Sequence, residues 1–196
     1  MLLRKHRRGS IRCIGSVPRL DEAIQWANGK TVLILDQKDV PLATRVDKIT
    51  EHKAEAYVML IVSDFDDVQA CHTMNKDVMM EVMIPNQQKV QLFSETDVPW
   101  ANVIAFLGHV PPTERALYQA VHRNGASTVI GTSRNIDRDY HQRVINDRDG
   151  LRNDYQTLRS RGADLIETDL PREIGQLLYA DDLFGENPIG PAFIRQ

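Results

Sequence analysis

The sequence predicts an α/β fold organised on a parallel sheet. Two observations carry the prediction. Short apolar runs bounded by turn residues alternate with amphipathic helical segments from residue 16 onward. The runs are also continuous rather than alternating, as in strands covered on both faces by crossover helices. Six strand-helix units follow from this alternation, and parallel strands joined by helices require right-handed crossovers.

The first helix is expected over Ser16–Asn28, with Pro18 in its first turn, acidic Asp21 and Glu22 near its start, Leu20, Ile24 and Ala27 on one face, and Gly29 as its stop. Thr31–Asp36 then reads as a strand buried on both faces. Leu42, Val46 and Ile49 mark a second helix reaching about His52, and Ala56–Val62 is the second strand. Ser63 or Asp64 suits the cap of a helix with Phe65, Val68 and Cys71 inward. Asp77–Ile84 is the third strand, its methionines read as core filler. A weaker helix over Gln87–Phe93 leads to a fourth strand, Val103–Leu107. After Pro111-Pro112 a helix beginning near Thr113 presents Leu117, Ala120 and Val121 and ends at Gly125. Ser127–Gly131 is the fifth strand. The polar connection Thr132–Asp149 is partly helical, and Leu151, Tyr155 and Leu158 form a further helical face ending at Gly162. Ala163–Thr168 is the sixth strand, and Ile174, Leu177 and Leu178 give the last helix. Residues 1–15 read as a loop or connection, 16–179 as the folded body of one domain, and 180–196 as a tail.

Composition bounds the function. The 196 residues are 42% hydrophobic and 26% charged, as in ordinary globular proteins, and the formal net charge of −3 supplies no field for nucleic acid. The basic cluster Arg4, Lys5, His6, Arg7, Arg8 lacks interleaved aromatics and reads as a solvated loop. No apolar run approaches the roughly 20 residues of a membrane span. Cys13 and Cys71 have no metal-ligand spacing.

In parallel α/β folds, sites form where the strands end, on the loops beyond their carboxyl termini. That face gathers Asp36 and Lys38, Asp64, Gly108 and His109, Thr132, and Glu167 with Asp169. Period-two alternation places Asp36 and Lys38 on one side, where they suit a hard cation and the anion it holds, or a structural ion pair. Asp64 and Asp169 suit helix caps better than metal ligands. His109 follows an apolar strand and offers a general acid or base, or a hydrogen-bonded structural residue. His122, on a helix end, and His141, in a loop, carry no role. No G-x-G-x-x-G follows a strand and no G-x-S-x-G surrounds a serine, which counts against a nucleotide-binding open sheet and against an α/β-hydrolase. Between an open doubly wound sheet and part of an eight-stranded barrel, the barrel is some two units short of the usual ~250 residues.

Three blocks in order go beyond pattern. Val17-Pro18-Arg19-Leu20-Asp21-Glu22-Ala23, Leu33-Ile34-Leu35-Asp36-Gln37-Lys38 and Gly162-Ala163-Asp164-Leu165-Ile166-Glu167-Thr168-Asp169-Leu170-Pro171 resemble the glycerophosphodiester phosphodiesterase family. The resemblance covers about residues 16–179. It implies an incomplete parallel (β/α) barrel of TIM type, with about six of eight strand-helix units. It further implies hydrolysis of phosphodiesters such as glycerophosphocholine to glycerol 3-phosphate and an alcohol, with a divalent cation, Mg²⁺ or Ca²⁺. Asp36 resembles an acidic metal ligand that is usually Glu, and Lys38 the lysine near the substrate phosphate. The closing Thr168-Asp169-Leu170-Pro171 resembles the last barrel strand and the turn after it, with no catalytic role implied.

The family's H-R-G histidine, its E-x-D metal pair and its second histidine have no counterparts at the required places. His6-Arg7-Arg8-Gly9 imitates the first, with no strand or acidic pair between it and Asp36. No catalytic residue is therefore carried over. The chain is expected to match strands three to eight, Met1 standing as an internal start or a truncated gene, and to turn over little substrate by itself. The rival expectation is a non-catalytic α/β module that binds a phosphorylated metabolite or a protein partner. An incomplete barrel also leaves open sheet edges, so self-association is expected of either.

Overall fold

The computed structural model describes residues 2–5, 11–142 and 147–183. Six strands, β3 (Leu33–Leu35), β4 (Val58–Val62), β5 (Met79–Met83), β6 (Val103–Phe106), β7 (Ser127–Gly131) and β8 (Leu165–Glu167), form one sheet in that order. The pairings β3 with β4, β6 with β7 and β7 with β8 are parallel, with Leu33 opposite Val58, Ile104 opposite Ser127 and Val129 opposite Leu165. Spatial order equals sequence order, so the sheet has no switch point of the kind that defines a doubly wound fold. Six such units alternating with helices are an incomplete (β/α) barrel of TIM type. Two compact units, Met1–Glu81 and Val82–Gln196, divide the chain within β5.

In the first unit, β1 (Leu2–Lys5) and β2 (Ile11–Gly15) pair as antiparallel strands, where a loop was expected. Residues 6–10, with the H-R-R-G imitation, lie outside the described residues. The helix α1 (Leu20–Ala27) starts later than expected. Arg19 is extended, with φ −74° and ψ 161°, and its N–H donates to the Glu22 carboxylate at 2.7 Å, so Pro18 precedes the helix. Asp21 accepts from His52 Nε2 at 2.9 Å and pairs with Lys48 at 3.0 Å, joining α1 to α2 (Leu42–Glu51) and its cap. Those two bonds, His52's first, hold the Asp21 carboxyl below its ordinary value. Their contribution to stability is therefore present above the unfolded-state carboxyl pKa and lost as pH falls through the lowered one. The core of this unit takes Ile24 and Ala27 from α1, Val46 and Ile49 from α2, Val58, Leu60 and Val62 from β4, and Val68 and Cys71 from α3 (Phe65–Met74). Asp64 caps α3, accepting from the Asp66 N–H at 2.8 Å.

The expected burial of Thr31–Asp36 on both faces is not what the structure shows. Only Leu33–Leu35 are in the strand, and Ile34 is 49% exposed, with Val32 exposed beside it. The reason is position: β3 ends the sheet, and among the described residues it pairs with β4 alone. An apolar run written for two neighbours has one.

In the second unit, Asn86 caps α4 (Gln87–Ser94), accepting from the Lys89 N–H at 2.9 Å. Phe93 meets Trp100 edge-on, ring centroids 4.6 Å apart, beside a short 3-10 turn at Trp100–Asn102. Helix α5 (Arg115–Arg123) buries Leu117, Tyr118, Ala120 and Val121. Helix α6 (Ile136–Gln142) occupies part of the polar connection and holds His141, which was expected in a loop. Helix α7 (Arg148–Arg161) is capped by Asp147 onto the Gly150 N–H at 2.8 Å. Its Leu151 and Tyr155 join Leu170, Ile174 and Leu177 in a cluster with α8 (Pro171–Leu183). That last helix extends past residue 179, and residues 184–196 of the expected tail lie outside the described residues.

Gly162 ends α7 with φ +123°, and a Cβ there would stand 2.9 Å from the Cβ of the fully buried Tyr118. Both backbone and space oppose a side chain. Gly162→Ala is expected to destabilise by about 1–3 kcal/mol, read as a lower urea midpoint at unchanged slope.

Candidate functional site

At the carboxyl end of β3, Lys38 Nζ donates to Asp36 Oδ2. The same-side placement expected from alternation is therefore seen, as an ion pair with Asp36 51% and Lys38 76% exposed. Such a pair contributes little to stability, on the order of 0–1 kcal/mol at most. Both groups stay accessible to a ligand. At the next exit, Asp64 is spent on its cap. Among the described residues no group of three or more His, Cys, Asp or Glu side chains comes together to hold a metal ion. A hard cation wants six or more oxygens, and one carboxylate already neutralised by a lysine does not fit that need.

The strand ends of the second unit hold a denser constellation. His109, just past β6, stands edge-on to Phe106 with ring centroids 5.1 Å apart. Its Nδ1 is buried with no hydrogen-bond partner. Gly131, the last residue of β7, lies beneath it: a Cβ there would be 2.3 Å from His109 Nδ1. Asn135 Nδ2 donates to the His109 carbonyl, and reaches the Gly131 carbonyl at 3.3 Å, tying the two exits together.

Beside it, Asp137 is 1% exposed. Its Oδ1 accepts from Tyr155 OH at 2.5 Å, and its Oδ2 lies 2.9 Å from Thr132 Oγ1, Thr168 Oγ1 and the Asp169 N–H. Burial, and then the bond to the Asp137 carboxylate, push the Tyr155 phenol up. This cluster joins the ends of β7 and β8 to α6 and α7. Both carboxylate oxygens accept hydrogen bonds, four in all, which makes Asp137 a structural clamp. Asp169 was expected to cap a helix. Its own N–H instead serves Asp137, while Thr168 Oγ1 accepts the Leu170 N–H at 3.0 Å.

The first and third motif blocks resolve into structural roles too. Asp164 accepts from the Thr128 N–H and from His122 Nε2, each at 2.8 Å, at the amino ends of β7 and β8, the stability face of a barrel. His122 is thus bound on its helix end. Asp21 and Glu22 of the first block hold α1. Sequence reasoning placed Asp36, Lys38, His109 and Thr132 at strand exits, where they are found. It missed Asp137 and Asn135 inside the polar connection, which no periodicity marks. It also missed Arg45, 2% exposed on α2, whose Nη1 donates to the Ile61 carbonyl at 3.2 Å.

The sequence matches no protein-family model and no curated protein. Among solved structures it is similar to a glycerophosphoryl diester phosphodiesterase from Parabacteroides distasonis, at 29% identity and a TM-score of 0.78, over 96% of this chain and 62% of that one. A protein from Silicibacter pomeroyi assigned to the same activity gives 15% identity and a TM-score of 0.55, over 83% and 56% of the two chains. Haloferax volcanii malate synthase gives 14% and 0.50, over 88% and 55%. The last two show the fold alone. The chain resembles the glycerophosphodiester phosphodiesterases, and it spans less than two thirds of the two structures that carry that description.

Proposed function

We propose that the chain carries a glycerophosphodiester phosphodiesterase-like hydrolase fold that binds a phosphodiester through Lys38 and does not turn it over unaided. The observation that supports this reading best is the likeness to the Parabacteroides distasonis enzyme over nearly the whole of this chain. At the end of β3 an exposed lysine beside a carboxylate suits an anionic ligand, the ammonium donating to phosphate oxygens. Hydrolysis to glycerol 3-phosphate and an alcohol would need a divalent cation. Asp36 would be one of its ligands, and the others would have to come from beyond the described residues.

Two measurements test the reading. Binding of glycerol 3-phosphate to the full chain, followed by calorimetry, is expected to weaken about 10- to 150-fold in Lys38→Ala, a charge-assisted bond being worth about 1.5–3 kcal/mol. No binding by the unsubstituted chain sinks the phosphodiesterase reading. Incubation with glycerophosphocholine and Mg²⁺ or Ca²⁺ is expected to release no glycerol 3-phosphate above the blank. Turnover that disappears in Asp36→Ala would overturn the proposed inactivity. Asp36→Ala itself is expected to leave stability within about 0.5 kcal/mol, as surface pairs do.

A second reading, a non-catalytic module, is favoured by the exposed Ile34 on β3, the strand that ends the sheet. An apolar strand edge of this kind recruits another strand. In that reading the chain associates with itself or with a partner polypeptide.

A further inference from the structure

We infer that His109 is a ligand-binding residue, presenting an Nε2–H donor to an oxyanion at the exits of β6 and β7. The geometry of the ring carries this. Its Nδ1 is buried with no partner, and it lies against Gly131, where even a methyl group would collide at 2.3 Å. A neutral imidazole must leave either an N–H donor or a lone pair in that place. Orphaned buried donors are the rarer and costlier case, so the lone pair faces inward and the proton sits on Nε2. That second nitrogen is not among the buried unpartnered atoms. The residue is partly exposed, at the carboxyl ends of two strands, where ligands of such folds bind.

The surroundings fix this donor rather than leave it free. Phe106 holds the ring edge-on, Asn135 holds the His109 backbone carbonyl, and Gly131 supplies the floor. A donor with locked orientation loses little entropy on meeting an acceptor. Taking that acceptor to be a phosphate oxygen rests on the reading proposed above. The choice of tautomer does not.

Nitrogen-15 spectra of histidine-labelled full-length chain test both parts. The His109 ring is identified by loss of its signals in His109→Ala and, should that variant not fold, by cross-relaxation with the Phe106 ring. The expected pattern is a protonated Nε2 with an unprotonated Nδ1, and an Nε2 signal that moves saturably as glycerol 3-phosphate is added. His109→Ala is expected to weaken that binding about three- to tenfold, the range of one neutral hydrogen bond. His109→Gln, which keeps a donor, is expected to recover part of the loss. A protonated Nδ1 overturns the inference. So does an unmoved His109 signal while Lys38-dependent binding saturates, an outcome that leaves the phosphodiesterase reading standing. Absence of any binding overturns both.

Discussion

Asp137→Ala is expected to destabilise the fold by about 3–5 kcal/mol, a large share of the stability of a domain this size. The carboxylate is buried and gathers Tyr155, Thr132, Thr168 and the Asp169 N–H around it. Truncation would leave those donors inside the protein with no acceptor, each a desolvated polar group costing about 1–3 kcal/mol unless it finds another partner. Some will. Thr132 Oγ1 already lies 2.9 Å from the Glu167 carbonyl, and Tyr155 OH lies 2.7 Å from Thr168 Oγ1. The Asp169 N–H has no such alternative, and it sits where the chain turns from β8 into α8. Urea denaturation followed by circular dichroism measures the loss. A change below about 1 kcal/mol would mean that the clamp is dispensable.

Arg45→Met is expected to act in the opposite direction, stabilising by about 1–4 kcal/mol. The guanidinium is buried on α2, makes one bond, 3.2 Å to the Ile61 carbonyl, and leaves Nε and Nη2 without partners. Methionine matches its stem in volume and removes an unsatisfied charge. Arg45→Ala is the control, since it removes the charge but opens a cavity and forfeits that gain. A second readout is available nearby. Burial pushes the Cys71 thiol up to about 11, and Arg45 partly opposes that rise. Without the guanidinium the thiol should become still less reactive toward alkylation. Loss of stability in the methionine variant would show instead that the single bond to Ile61 outweighs desolvation.

The legible part of the fold was whatever local chemistry decides alone. Ser127–Gly131 was read because a run of six small or β-favouring residues, Ala126 to Gly131, stands between Gly125 and Thr132. Gly162 and Asp64 were read because a positive φ and a helix cap each call for particular residue types. Strand neighbourhood is not local. Nothing within Thr31–Asp36 says that it would end a sheet, so its burial was overestimated while its type was right. At the candidate site, Asp36 and Lys38 were placed by a spacing of two, and His109 by following a strand. Asp137 was invisible because its donors come from Thr132, Tyr155 and Thr168, distant in sequence and each unremarkable in place. The pair β1 and β2 was missed because basic residues in short runs do not suggest strands.

The strictly sequential order of the sheet has a consequence for how stability is distributed. Each central strand, β4 to β7, is flanked by the strands before and after it in the chain, so support passes from neighbour to neighbour as in a linear array rather than around a closed ring. In such an array the end members are held from one side only and open first, while inner members open only after them. Closing a barrel converts end members into inner ones. The strand that leads into Asp36 and Lys38 is an end member, so the order of those two side chains is set by one of the two least protected rungs of the ladder.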